Sequence, residues 1–138
     1  MKKLLPAALA IAFITIVSVT STAQVTKGKT RLAKTSQIMR GFVRPNYSTI
    51  RQGTEKLPAN KKEWHALATS AALLNEAGYL LMDDGRCPDS DWASAAKALR
   101  TGTAEILKSV ESKDADRMAE AFKVVTQSCV SCHKVHKE

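Results

Sequence analysis

Beyond residue 30 the apolar residues recur with a helical period of about 3.6, and no stretch alternates with the period of two expected of a half-buried strand. One stripe runs Trp64, Leu67, Ala68, Ala71, Leu74, Gly78 and Leu81. Asn60 precedes it with Glu63 three residues later, a capping-box arrangement, and Gly85 marks its expected end. The next opens after Pro88 and Asp89 and repeats Trp92, Ala95, Ala96, Leu99, Thr103, Ile106, Leu107 and Val110. The last begins near Asp114 and places Met118, Ala121, Phe122, Val125, Cys129 and Cys132 on one face, which turns both thiols toward the interior. An earlier stripe, Leu32, Ser36, Met39, Val43 and Ile50, keeps helical phase, but Pro45 falls inside it and removes a backbone donor. A kink or break is therefore expected there. Four amphipathic segments with few glycines and short connections predict an all-α fold, an antiparallel up-and-down four-helix bundle.

The first residues follow a different pattern. Lys2 and Lys3 precede an apolar run, Leu4 to Val19, and Ser21-Thr22-Ala23 then supplies small residues suited to a signal peptidase. The run is short for a membrane-spanning helix. Residues 1–23 are expected to be a cleaved export signal, leaving a single domain, 24–138, in the periplasm with no stable membrane insertion.

Near the C-terminus stands Cys129-Val130-Ser131-Cys132-His133, the C-x-x-C-H pattern of covalent c-type haem attachment. Two thiols three residues apart on a helix share a face and can reach the two vinyl groups at one porphyrin edge. His133, four residues after Cys129, lies on that face and is placed to be the proximal iron ligand, the usual role of histidine in haem proteins. Two other uses of C-x-x-C fit less well. A thioredoxin-like pair wants a βαβ context, and a zinc site needs further ligands, for which Cys87 and His136 offer no familiar spacing.

With export signal, four helices and C-x-x-C-H in the final helix, the chain resembles the class II cytochromes c, the family of cytochrome c′ and cytochrome c-556. The resemblance spans the whole of 24–138. Class I cytochromes have the reverse plan, with the motif near the mature N-terminus. Where the family commonly follows its motif with an aromatic and a basic residue, this chain has His136 and Lys137. The resemblance implies one haem c and single-electron transport between redox partner proteins.

Met118 precedes His133 by a helical distance of roughly 22 Å at 1.5 Å per residue, so it cannot reach the opposite haem face. Met39 and Met82 both remain as candidates for the distal iron ligand. The family draws its distal residue from the first helix, which points to Met39, flanked by Ile38 and Phe42. If Met39 only fills the core, Ile38 or Phe42 could roof a five-coordinate iron, giving a cytochrome c′-type protein that binds NO or CO. His65 falls at the far end of the bundle, and His136 is expected to be a solvated neighbour of the motif.

Removing Lys2 and Lys3 with the signal lowers the formal charge from +8 to +6. That sign favours acidic partners and affects encounter rates, while the absence of an aromatic-basic stripe argues against nucleic acid. No general acid, base or nucleophile constellation appears, so no enzymatic turnover is expected. Arg31, Lys34, Arg40 and Arg86 are candidate propionate partners by sign and place. Cys87, in the turn before the third helix, is an odd thiol for an exported protein. Trp92 belongs to a core stripe. Family members often form homodimers through their first two helices, but here Pro45 falls within that surface.

Overall fold

A computed structural model describes residues 31–83 and 85–136. The leader assigned to residues 1–23 and the start at Gln24 lie outside these. The described chain is helical, with α1 (Thr35–Ile38), a π-helical turn (Met39–Val43), α2 (Arg44–Glu55), α3 (Lys61–Leu80), α4 (Ser90–Ser112) and α5 (Ala115–His136). Since α1, the π turn and α2 follow without interruption, they form one arm, and four helical arms pack together. No helix of the described residues is long and apolar enough to cross a membrane.

Side-chain contacts fix the directions. A Cβ on Gly53 would meet Leu67, while at the opposite end Arg31 pairs with Asp83 at 3.1 Å, so the first arm runs antiparallel to α3. Asn75 Nδ2 donates to the Arg100 carbonyl at 2.7 Å and Trp92 Nε1 to the Leu81 carbonyl at 2.7 Å, which reverses α4 against α3. Arg117 reaches Glu105 while His136 sits edge-on to Trp92, so α5 runs back along α4. Tyr47 closes the ring, its ring 5.2 Å from that of Phe122 and its hydroxyl 3.3 Å from Thr126 Oγ1. The result is the expected up-and-down bundle.

The stripes supply the core. Ile50, Leu67, Leu74, Ile106, Met118 and Val125 are fully buried. Thr103 is buried among them because its hydroxyl donates to the Leu99 carbonyl and accepts from Asn75. The start signals act as read. Asn60 Oδ1 accepts from the Glu63 N–H at 3.0 Å, and the Glu63 carboxylate reaches back one residue beyond the cap, to the Ala59 N–H. Asp89 caps α4 through the Trp92 N–H and Asp114 caps α5 through the Arg117 N–H.

Two expectations change. Helix α3 stops at Leu80, not at Gly85. Its last carbonyls are drawn off by side chains, Leu80 O by Arg86 and Leu81 O by Trp92, and Gly85 at φ 68° serves the following turn instead. Pro45 does not break the first helix. The Arg44 N–H reaches back five residues to the Met39 carbonyl, and this wider turn leaves room for the pyrrolidine that an α turn would drive into the preceding turn's carbonyl. Asn46 Nδ2 then takes up the Phe42 carbonyl at 2.7 Å.

Candidate functional site

A cleft of about 1160 Å3 opens between the first arm and the last two turns of α5. It slightly exceeds the roughly 300–1,000 Å3 usual for small-molecule sites. Met39, Val43 and Tyr47 form one side; Cys129, Cys132 and His133 form the other; Trp92 and Pro88 close the end beside the start of α4. The cleft therefore unites two segments separated by some ninety positions in sequence.

The thiols are half-buried and His133 is exposed, all three facing the cleft. This modifies the expectation that the thiols turn into the bundle interior. Beyond Val125 the stripe is only partly enclosed: Ser128 is buried and Cys132 packs against the core, while Cys129 and Cys132 also line the cleft.

Among the methionines, Met39 lines the cleft, Met82 lies exposed in the turn after α3, and Met118 is buried in the core. Ile38 is buried in the core and Phe42 is half-buried against it, and neither lines the cleft. The π turn contributes to this. Its five-residue closure sets Met39 and Val43, four apart, on the cleft while Ile38 stays inward. His65 is exposed at the start of α3 and does not line the cleft.

His136 departs from its expected solvated position. Its side chain is largely covered, and its ring lies 5.3 Å from Trp92 at 74°. Its Nε2 stands 3.4 Å from Asp89 Oδ1 without a hydrogen-bond partner, an uncommon state for a buried nitrogen. A histidine three residues beyond a motif gives no sequence signal for this, since it depends on α4 bringing Trp92 alongside. Arg86, one of four cations considered for propionates, is also buried, donating to the Ala33 carbonyl at 2.9 Å and to Leu80 O, so it ties the first arm to the end of α3. Arg31 is paired with Asp83. Arg40 and Arg44 line the cleft and remain exposed, joined by Lys134 from α5. Cys87 donates its S–H to the Asp89 carbonyl at 3.3 Å within the turn.

The electrostatics of the two motif thiols are informative. Burial pushes the Cys129 thiol above its ordinary range, opposed in part by hydrogen bonds from Ser128 and its own backbone. Burial does the same to Cys132, reinforced by the charges of Cys129 and Asp89. Both lie near the C-terminus of α5, the negative end of the helix dipole. Reactive redox thiols are activated in the opposite way, by a helix N-terminus or nearby cation. Protein expressed as residues 24–138 in the cytoplasm with Cys87→Ser, so that Cys129 and Cys132 are the only thiols and both are free, should therefore react slowly with iodoacetamide at pH 7. The thiolate is the nucleophile and a raised pKa reduces its population, so reaction accelerates only as pH climbs past the ordinary thiol range or when urea unfolds the chain. Rapid alkylation of the folded protein at pH 7 would contradict this.

Among the described residues no group of three or more His, Cys, Asp or Glu side chains is placed to hold a metal ion. Protein families, curated proteins and solved structures offer no match to this chain.

Proposed function

We propose that the protein is an exported class II c-type cytochrome, carrying single electrons between redox partners. The observation that carries this reading is the placement of Met39 in the same cleft as Cys129, Cys132 and His133. Haem, when bound, supplies a one-electron iron couple. Cys129 and Cys132 would hold it through thioethers, His133 would be its proximal ligand and Met39 its distal ligand. The donor set fits such a group: two uncharged thiols, an imidazole and a thioether, with the apolar faces of Val43 and Trp92 limiting water. The thioether favours the reduced state and raises the potential. Met39 lines the cleft and neither Ile38 nor Phe42 does, which supports a methionine ligand over a vacant iron position as in NO- or CO-binding proteins of this class.

The test is production with the native leader in a host that attaches c-type haem. Mature protein beginning at Gln24, with haem absorbance that survives denaturation and acid extraction, is expected. A methionine-to-iron charge-transfer band should appear in the oxidised form and vanish in Met39→Ala. A high-spin spectrum that changes on adding CO would instead favour the gas-binding protein. Protein without covalent haem would sink both.

A further inference from the structure

We propose that the exposed rim of the first arm, centred on Arg40 and Arg44, is the docking face for an acidic protein partner. It names the partner class for the electron carrier proposed above, and so rests on that reading for its physiological meaning. The charge distribution along the chain is lopsided. From Arg31 to Thr54 there are five basic residues and no acidic one; the first of the 13 acidic residues is Glu55.

The fold concentrates this imbalance at the cleft. Arg40 and Arg44, four residues apart on one helical face, are exposed on its edge, and Lys134 stands on the α5 side. Among the described residues none of the three has a carboxylate within 4.0 Å. The far side of the bundle differs. There Lys108 and Arg117 share Glu105, and Lys123 pairs with Glu120. Val130, 54 % exposed and one helical turn before Lys134 on α5, adds an exposed apolar residue to the same cleft. Apolar and charged residues side by side are usual in a protein interface, and a cationic rim accelerates encounter with an acidic partner.

The same charges oppose a second copy of this chain. Joining two first arms would bring Arg40, Arg44 and Arg51 of each toward like charge, which carries a cost. The homodimer implied by the family resemblance is thus disfavoured on this face.

The probe is flavodoxin, a small acidic redox protein, which is immobilised while binding of the purified protein is measured by surface plasmon resonance. Binding should weaken about tenfold or more between about 10 mM and 200 mM salt as screening shortens the reach of the charges. Arg40→Glu/Arg44→Glu should weaken it by about tenfold at low salt, with Arg40→Gln/Arg44→Gln in between, while Lys97→Glu/Lys108→Glu on α4 changes it less than about twofold. Circular dichroism melts confirm that each variant is folded; the glutamine pair, which leaves no new charge, serves if the glutamate pair is not. Equal losses from both glutamate pairs would show a net-charge effect and overturn the proposal. So would unaffected binding, no binding by wild type, or arginine-dependent binding to phosphatidylglycerol vesicles in place of flavodoxin. Because the readout is binding, a protein that lacks haem but docks through Arg40 and Arg44 would overturn the electron-carrier reading alone.

Discussion

Replacing Cys129 and Cys132 together with serine is expected to remove every trace of haem absorbance from the denatured protein while leaving the helical bundle intact. Each thiol would form one thioether, so the single replacements should retain a weakened covalent signal and the double replacement none. The fold should tolerate the change. Both side chains are half-buried at the cleft rather than fully enclosed, serine is nearly isosteric, and substitutions away from a close-packed core usually stay within about 0.5 kcal/mol. Cys87→Ser is the control, because its thiol sits in the α3–α4 turn and bonds only the Asp89 carbonyl. A haem stain after denaturing electrophoresis, beside far-ultraviolet circular dichroism, separates the outcomes. Signal persisting in the double variant would place the attachment elsewhere; equal loss in Cys87→Ser would show a maturation defect unrelated to the motif.

The helices were legible because an apolar stripe of period 3.6 and a side-chain cap are both local features. Leu67, Leu74, Ile106 and Val125 are buried where their stripes place them, and Asn60, Asp89 and Asp114 begin their helices. The candidate site was legible as a motif but not as a cleft. Its walls come from segments far apart in sequence, and one of them contains the π turn that pairs Arg44 with Met39 beside Pro45. Proline signals a disturbance without saying whether the chain will break, kink or widen. Arg86 and His136 escaped for a related reason. Each is covered by an element distant in sequence, the Ala33 carbonyl in one case and Trp92 in the other, and nothing near them in the chain records it.

Gly102→Val should destabilise the bundle by about 3 kcal/mol, at the upper end of the usual range for overpacking. The reason is the closeness of α4 to α5. A Cβ at Gly102 would stand 2.8 Å from Val125 Cγ2, 3.1 Å from the Val125 backbone nitrogen and 3.2 Å from the Ala121 carbonyl. The first obstacle is a side chain that can turn; the other two are helix backbone, so α5 itself must move. Alanine recovers about 1 kcal/mol of helix propensity, which offsets part of the clash, whereas valine adds two methyl groups and little propensity. Gly78→Ala should also destabilise, since its Cβ would run into Arg100 Cγ, near the base of a side chain held at its far end by Tyr79, and would stand 3.2 Å from the Ala96 carbonyl. Gly41→Ala, with nothing within 4 Å, should be neutral or slightly stabilising. At roughly 4 °C per kcal/mol for a domain of this size, Gly102→Val should lower Tm by about 12 °C. Its effect should extend to the cleft, because Val125 lies one helical turn before Cys129. Thermal melts of the three variants provide the ranking, and a Gly102→Val protein as stable as Gly41→Ala would mean that α4 and α5 are not in this close contact.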